Sequence, residues 1–214
     1  MQMKRISIRV ALLWLGFLLA PAATTRADFM NGSFETGDLT GWSTPGSSGY
    51  VSVLTTYTSY GPEFTATDGE YYALLGAGLG TGVYTLLSQT FAASTGDVLS
   101  FDQFFQANDY LPFDDNAYGR LYDATSDTLV AELFYSDITE VGNYGYTPWT
   151  AVSYVFSGGG SYYLEFGVTN ITDNGLSSVT AAGVVPEPSS LVLAGTGALA
   201  GLLGWRRRGA RAGA

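Results

Sequence analysis

The chain has 214 residues, with 9 Lys and Arg against 19 Asp and Glu, no His and no Cys. Without imidazole or thiol, hydrolysis by a Ser-His or Cys-His pair is excluded, and so is stabilisation by disulfides. The formal charge of −10 excludes nucleic acid as a natural partner, because phosphate binding needs clustered cations.

Lys4, Arg5 and Arg9 lead into an apolar stretch over 10–20, followed by Pro21 and a small-residue segment in which Thr25 and Ala27 suit the positions a signal peptidase reads. This predicts a cleavable signal peptide over 1–27. The alternative, a retained anchor, is opposed by an apolar run shorter than the about 20 residues of a comfortable span.

Next comes Asn31-Gly32-Ser33-Phe34-Glu35-Thr36-Gly37-Asp38-Leu39-Thr40-Gly41-Trp42. Phe34 and Trp42 supply aromatic core mass, and Gly37 and Gly41 let the chain turn tightly between them. The segment resembles the opening of jelly-roll, carbohydrate-binding-like modules. That resemblance implies a first strand and a buried Trp here, and makes Glu35 a candidate ligand of a structural calcium. The partner acid such a site takes from the last strand is missing from 177–184.

Short runs rich in Val, Tyr, Phe, Leu and Thr then alternate with Gly, Asn, Asp and Ser clusters, and no segment sustains a 3.6-residue apolar period. Strands are predicted over 50–57, 71–76, 83–91, 98–106, 117–122, 128–135, 150–156, 162–170 and 178–184. Nine strands fit an all-β, jelly-roll-like two-sheet β-sandwich occupying 28–185. A lipocalin-like barrel is the alternative, opposed by uneven turn spacing.

Within 101–118 an aromatic strand opens into a loop carrying Asn108, Asp109, Asp114, Asp115 and Asn116, stiffened by Pro112. The segment is similar to one found in many exported β-sandwich proteins. So many oxygen donors in one loop make calcium the candidate ion, since it takes six to eight oxygens. Solvated turn residues account for the same composition. No other cofactor is expected. Tyr57, Tyr60, Tyr144, Tyr146 and Trp149 lie in or near loops, where exposed rings could stack on the pyranose rings of a polysaccharide.

Pro186-Glu187-Pro188-Ser189-Ser190 is followed by an apolar helix over 189–205 and then by Arg206, Arg207, Arg208 and Arg211. A 17-residue helix at about 1.5 Å per residue barely spans the hydrocarbon, and the arginines place the tail on the cytoplasmic side of the inner membrane. The order of parts over 186–214 resembles the PEP-CTERM sorting signal. It implies recognition of Pro186, Glu187 and Pro188 by exosortase and delivery to the cell surface or extracellular polysaccharide. A plain transmembrane anchor is the alternative.

With both ends set aside, the 158-residue domain keeps Arg120 as its single cation against 18 acids, a formal charge of −17. The expected function is non-enzymatic, as a structural or adhesive component of the envelope or extracellular matrix. The alternatives are a carbohydrate-binding module and a small glycosidase working through two carboxylates.

Overall fold

The computed structural model of the chain describes residue 27 and residues 29–184. The signal segment 1–26 and the sorting motif, apolar helix and basic tail from 186 onward lie outside the described residues. Among the described residues no helix is long and apolar enough to cross a membrane.

Eleven strands follow in order: β1 (Val51–Leu54), β2 (Thr56–Tyr57), β3 (Phe64–Thr65), β4 (Tyr72–Gly76), β5 (Thr85–Ala93), β6 (Val98–Gln106), β7 (Asp115–Asp123), β8 (Thr128–Asp137), β9 (Thr150–Val155), β10 (Gly160–Asn170) and β11 (Val179–Val184). A single helical turn, α1 (Ile138–Val141), is capped by the Asp137 side chain, which accepts from the Glu140 N–H at 2.9 Å. The strands form a five-stranded sheet, β1-β4-β11-β6-β9, a four-stranded sheet, β5-β10-β7-β8, and a small β2-β3 pair. All ladders are antiparallel. The architecture is the expected jelly-roll sandwich.

The period of two decides which face of each strand is buried. In β5, Thr85, Leu87, Gln89, Phe91 and Ala93 point inward. Of these, Leu87, Phe91 and Ala93 join Leu164, Phe166 and Val168 of β10, and Leu99, Phe101 and Phe105 of β6 across the sandwich, in one apolar core. A second apolar cluster covers the other face of the five-stranded sheet. There Phe64 stacks on Phe104 at 3.9 Å, and Tyr72, Leu74, Val179 and Ala181 surround the pair. The β2-β3 pair lies on this face because Phe104 and Tyr72 present apolar surface outward.

The segment 31–42 corrects one expectation. It forms successive turns rather than a first strand, with Phe34, Gly37 and Gly41 at φ of 62°, 74° and 86°. The buried Trp is present: Trp42 packs 5.1 Å from Phe34 and 6.1 Å from Phe166, and its indole N–H donates to the Asn31 carbonyl at 3.1 Å. Strand pairing begins just after it, at the bridge between Ser43 and Ser88.

Candidate functional site

Three tyrosine rings meet at one loop rim. The Tyr60 and Tyr144 rings lie 4.6 Å apart, Tyr110 lies 5.8 Å from Tyr144, and Phe113 stands edge-on to Tyr110 at 5.2 Å. Tyr146 extends the rim and touches Phe64 edge-on at 5.8 Å. Tyr60, Tyr110, Tyr144 and Tyr146 are 59%, 39%, 36% and 44% exposed. Among the described residues none of their hydroxyls has a hydrogen-bond partner.

Backbone contacts from the end of β6 hold this rim. The Asp109 carboxylate accepts from the Tyr110 N–H at 2.8 Å, and the Asp109 carbonyl accepts from the Tyr144 N–H at 2.8 Å. Ala107 N–H donates to the Gly145 carbonyl and Thr147 N–H to the Phe105 carbonyl, each at 2.9 Å, stitching 143–147 alongside β6. Gly145 is needed for this path, because a Cβ there would overlap the Val141 carbonyl oxygen. Tyr144 itself adopts φ of 55°, a conformation uncommon for a bulky residue.

Of the residues expected to stack on sugar, the structure brings Tyr60, Tyr144 and Tyr146 together. Tyr57 and Trp149 are used otherwise. Trp149 donates its indole N–H to the Thr65 carbonyl at 2.9 Å and packs edge-on to Phe104 at 4.7 Å, so its ring completes the second apolar cluster. The Tyr57 hydroxyl accepts from Asn108 Nδ2 at 3.0 Å. Tyr110, which sequence reasoning missed as a stacking residue, sat inside a segment read only for its acids.

The acidic loop divides. Asn108 and Asp109 are buried at the end of β6, and Asp115 is buried at the start of β7. Burial first, then repulsion from Asp109, Asp114 and Asp173, pushes Asp115 up to about 7. Asp114 is also raised, by burial and then by Asp137. Asn116 points to the other side of β7, where its amide oxygen accepts from the Tyr84 hydroxyl at 2.9 Å. Glu35 serves a separate turn, accepting from the Glu70 and Tyr71 N–H groups at 2.9 and 3.0 Å. Among the described residues no three acidic side chains stand together as a ready-made metal cluster.

The outer face of the four-stranded sheet carries a second set of tyrosines. Tyr122 and Tyr163 stack at 4.7 Å, and Tyr118 lies under Arg120, whose guanidinium carbon is 4.0 Å from the ring centroid. Here the Tyr118 and Tyr163 hydroxyls are taken. Tyr118 donates to Glu165 at 2.8 Å and Tyr163 to Asp127 at 2.6 Å, while Arg120 pairs with Glu132 at 2.7 Å. Burial and the adjoining carboxylates push the Tyr118 and Tyr163 hydroxyls up, and burial raises Glu165. This face is a closed network, in contrast with the open rim.

Two facing antiparallel sheets with an aromatic loop rim define a jelly-roll β-sandwich domain. Residues 184–208 match the family model of the PEP-CTERM protein-sorting motif. The protein is accordingly exported and directed to the surface through exosortase-mediated processing. No curated protein matches the chain. Among solved structures, the chain is similar to a carbohydrate-binding module in complex with β-1,4-galactotriose, at 17% identity over 75% of this chain and 96% of that one, with a TM-score of 0.46. It is also similar to a family 16 carbohydrate-binding module (16% identity, 73% and 96% covered, TM-score 0.39). A cleaved adhesin domain of Lys-gingipain from Porphyromonas gingivalis is similar at 16% identity, with 76% and 99% covered and a TM-score of 0.41.

Proposed function

We propose that this is a non-enzymatic, surface-delivered adhesive component of the extracellular matrix, which holds polysaccharide on the Tyr60, Tyr110, Tyr144 and Tyr146 rim. One observation carries the reading. The exposed rings of Tyr60, Tyr110 and Tyr144 converge at one edge with Tyr146 beside Gly61, and the four hydroxyls are unpartnered among the described residues, whereas Tyr118 and Tyr163 of the sheet face are hydrogen-bonded within the protein. An amphipathic ring with a free hydroxyl offers both a stacking surface and a hydrogen bond to a sugar.

The formal charge of the domain opposes polyanions, so the ligand is a neutral glycan or one screened by cations. On the way out, the chain passes through an inner-membrane intermediate held by the apolar segment 189–205 before release. Catalysis has little support. Glu165 and Glu132, the acids flanking Arg120 on the sheet face, are engaged by Tyr118 and Arg120.

Affinity electrophoresis of the purified protein in gels containing neutral or acidic polysaccharides tests the reading. Retardation by a neutral glycan should be lost in Tyr60→Ala and Tyr144→Ala and kept in Tyr122→Ala. Loss in Tyr122→Ala with retention in the rim variants would move the site to the sheet face. Absence of retardation by every glycan would end the proposal.

A further inference from the structure

Two buried acceptors stand side by side at one end of the sandwich without donors. Asp115 and Asn170 lie directly opposite one another in the β7-β10 register, so their side chains share a face. That face is the inner one, because Ala117 and Val168, two residues along each strand, belong to the core. Asp115 is 1% and Asn170 0% exposed, yet Oδ1 of each has no hydrogen-bond partner.

Their remaining atoms are fixed. Ser178 Oγ donates to Asp115 Oδ2, and Asn170 Nδ2 donates to the Asn174 side chain at 3.2 Å and the Leu176 carbonyl at 3.0 Å. Ser178 Oγ also accepts from the Asn108 N–H at 3.1 Å, which brings the buried Asp109 to the same end of the core. Asp109, Asp114 and Asp173 all repel the Asp115 charge. The one cationic side chain among the described residues, Arg120, is tied to Glu132 on the outer face of the sheet. A buried carboxylate without a counter-charge is strongly unfavourable, and two acceptors cannot satisfy one another.

We propose that Asp115, Asn170 and Asp109 form a calcium site that closes this end of the sandwich, completed by backbone carbonyls and water. The donors are all hard oxygens, one of them a neutral amide. With no three acids converging, the shell is mixed and irregular, which calcium accepts and magnesium does not. The set differs from the loop residues singled out by sequence alone, since Asn170 comes from a distant strand and Glu35 and Asn116 take no part. The site does not rest on the sugar reading, although Asp109 also holds Tyr110 and Tyr144 through its carboxylate and carbonyl.

The test is thermal unfolding of the full chain, stripped with a chelator and titrated with calcium chloride or magnesium chloride, beside equilibrium dialysis with radioactive calcium. The expected result is one calcium bound per chain. Tm should rise on the order of 5–10 °C at a hundredfold excess over the dissociation constant, with a smaller rise for magnesium. Asp115→Asn should remove both effects, and Glu35→Gln should keep them. If Asp115→Asn fails to fold, Asn170→Ala, which leaves the charge unchanged, should weaken binding at least tenfold. Absence of binding to the wild-type chain at millimolar calcium would overturn the proposal and assign the neutralising role to a proton. Binding that survives Asp115→Asn, or is lost in Glu35→Gln, would overturn it as well.

Discussion

Replacing Gly167 by alanine should destabilise the domain far more than the loss of one hydrogen atom suggests. Gly167 faces Tyr118 across the β10-β7 ladder, and a Cβ there would lie 2.5, 2.6 and 2.8 Å from Tyr118 Cζ, Cε1 and the hydroxyl oxygen. Carbon contacts settle near 3.5–4.0 Å, so the buried ring must move by about 1 Å. That movement pulls the hydroxyl from Glu165, 2.8 Å away. Overpacking of this kind costs about 1–3 kcal/mol and a hydrogen bond to a charged group about 1.5–3 kcal/mol, offset by about 0.5–1 kcal/mol gained from removing a strand glycine. The balance is roughly 2–5 kcal/mol, or a fall in Tm of about 5–20 °C for a domain of this size. Urea unfolding followed by tyrosine and tryptophan fluorescence reads it. Gly183→Ala is the control, because a Cβ at Gly183 meets nothing within 4 Å, and it should match or slightly exceed the wild type. In a Tyr118→Ala background Gly167→Ala should cost little, since the obstructing ring is gone. Equal stability of Gly167→Ala and wild type would refute the account of how the Tyr118 ring packs against the glycine.

Two further outcomes can be measured. In chelator-treated protein, stability should decline as pH rises from about 4 to 7. Over that window folded Asp115, raised from 3.8 to about 7, holds a proton that the unfolded chain has released. Asp114 adds to this slope, while Asp137, held down by its Thr139 and Glu140 contacts despite burial, adds stability that is lost only at lower pH. Asp109 and Asp173 complete the charges facing Asp115, and Ser178 is its hydrogen-bond donor. Urea midpoints at pH 5 and 7.5 should show the slope in wild type and its reduction in Asp115→Asn. Separately, the intact mass of the protein recovered from cell surface and medium should place the C-terminus between residues 186 and 190, and a chain intact through Ala214 would contradict processing.

Most of the sandwich is legible in the sequence because strands such as β5 keep the period of two along their length, and the strand expected over 98–106, which keeps it as far as Gln103, has both of its boundaries there in the structure. The residue pattern over 50–57 predicts one strand. In the structure it breaks at Thr55 into β1 and β2, which enter different sheets, and nothing in the local pattern marks that change. Phe64–Thr65 is too short to show any period, and the α1 turn is a single capped turn. The two register shifts between β7 and β8 leave no local trace either, since a bulge is a relation between strands. The same limit governs the sites. Tyr60 and Tyr144 were visible as loop aromatics, but the pairing of Asp115 with Asn170 depends on a register joining residues 55 positions apart.

The last strand bears on how the protein withstands load. β11 is the middle strand of the five-stranded sheet, bonded to β4 on one side and β6 on the other, and only Val185 separates its end from the sorting motif at Pro186. Tension drawn through the tail therefore enters the centre of the sheet and runs along the strand. It loads two ladders of hydrogen bonds in parallel shear instead of unzipping an edge one bond at a time. The same placement means that the sheet cannot close during export until the residues just ahead of the sorting motif have crossed.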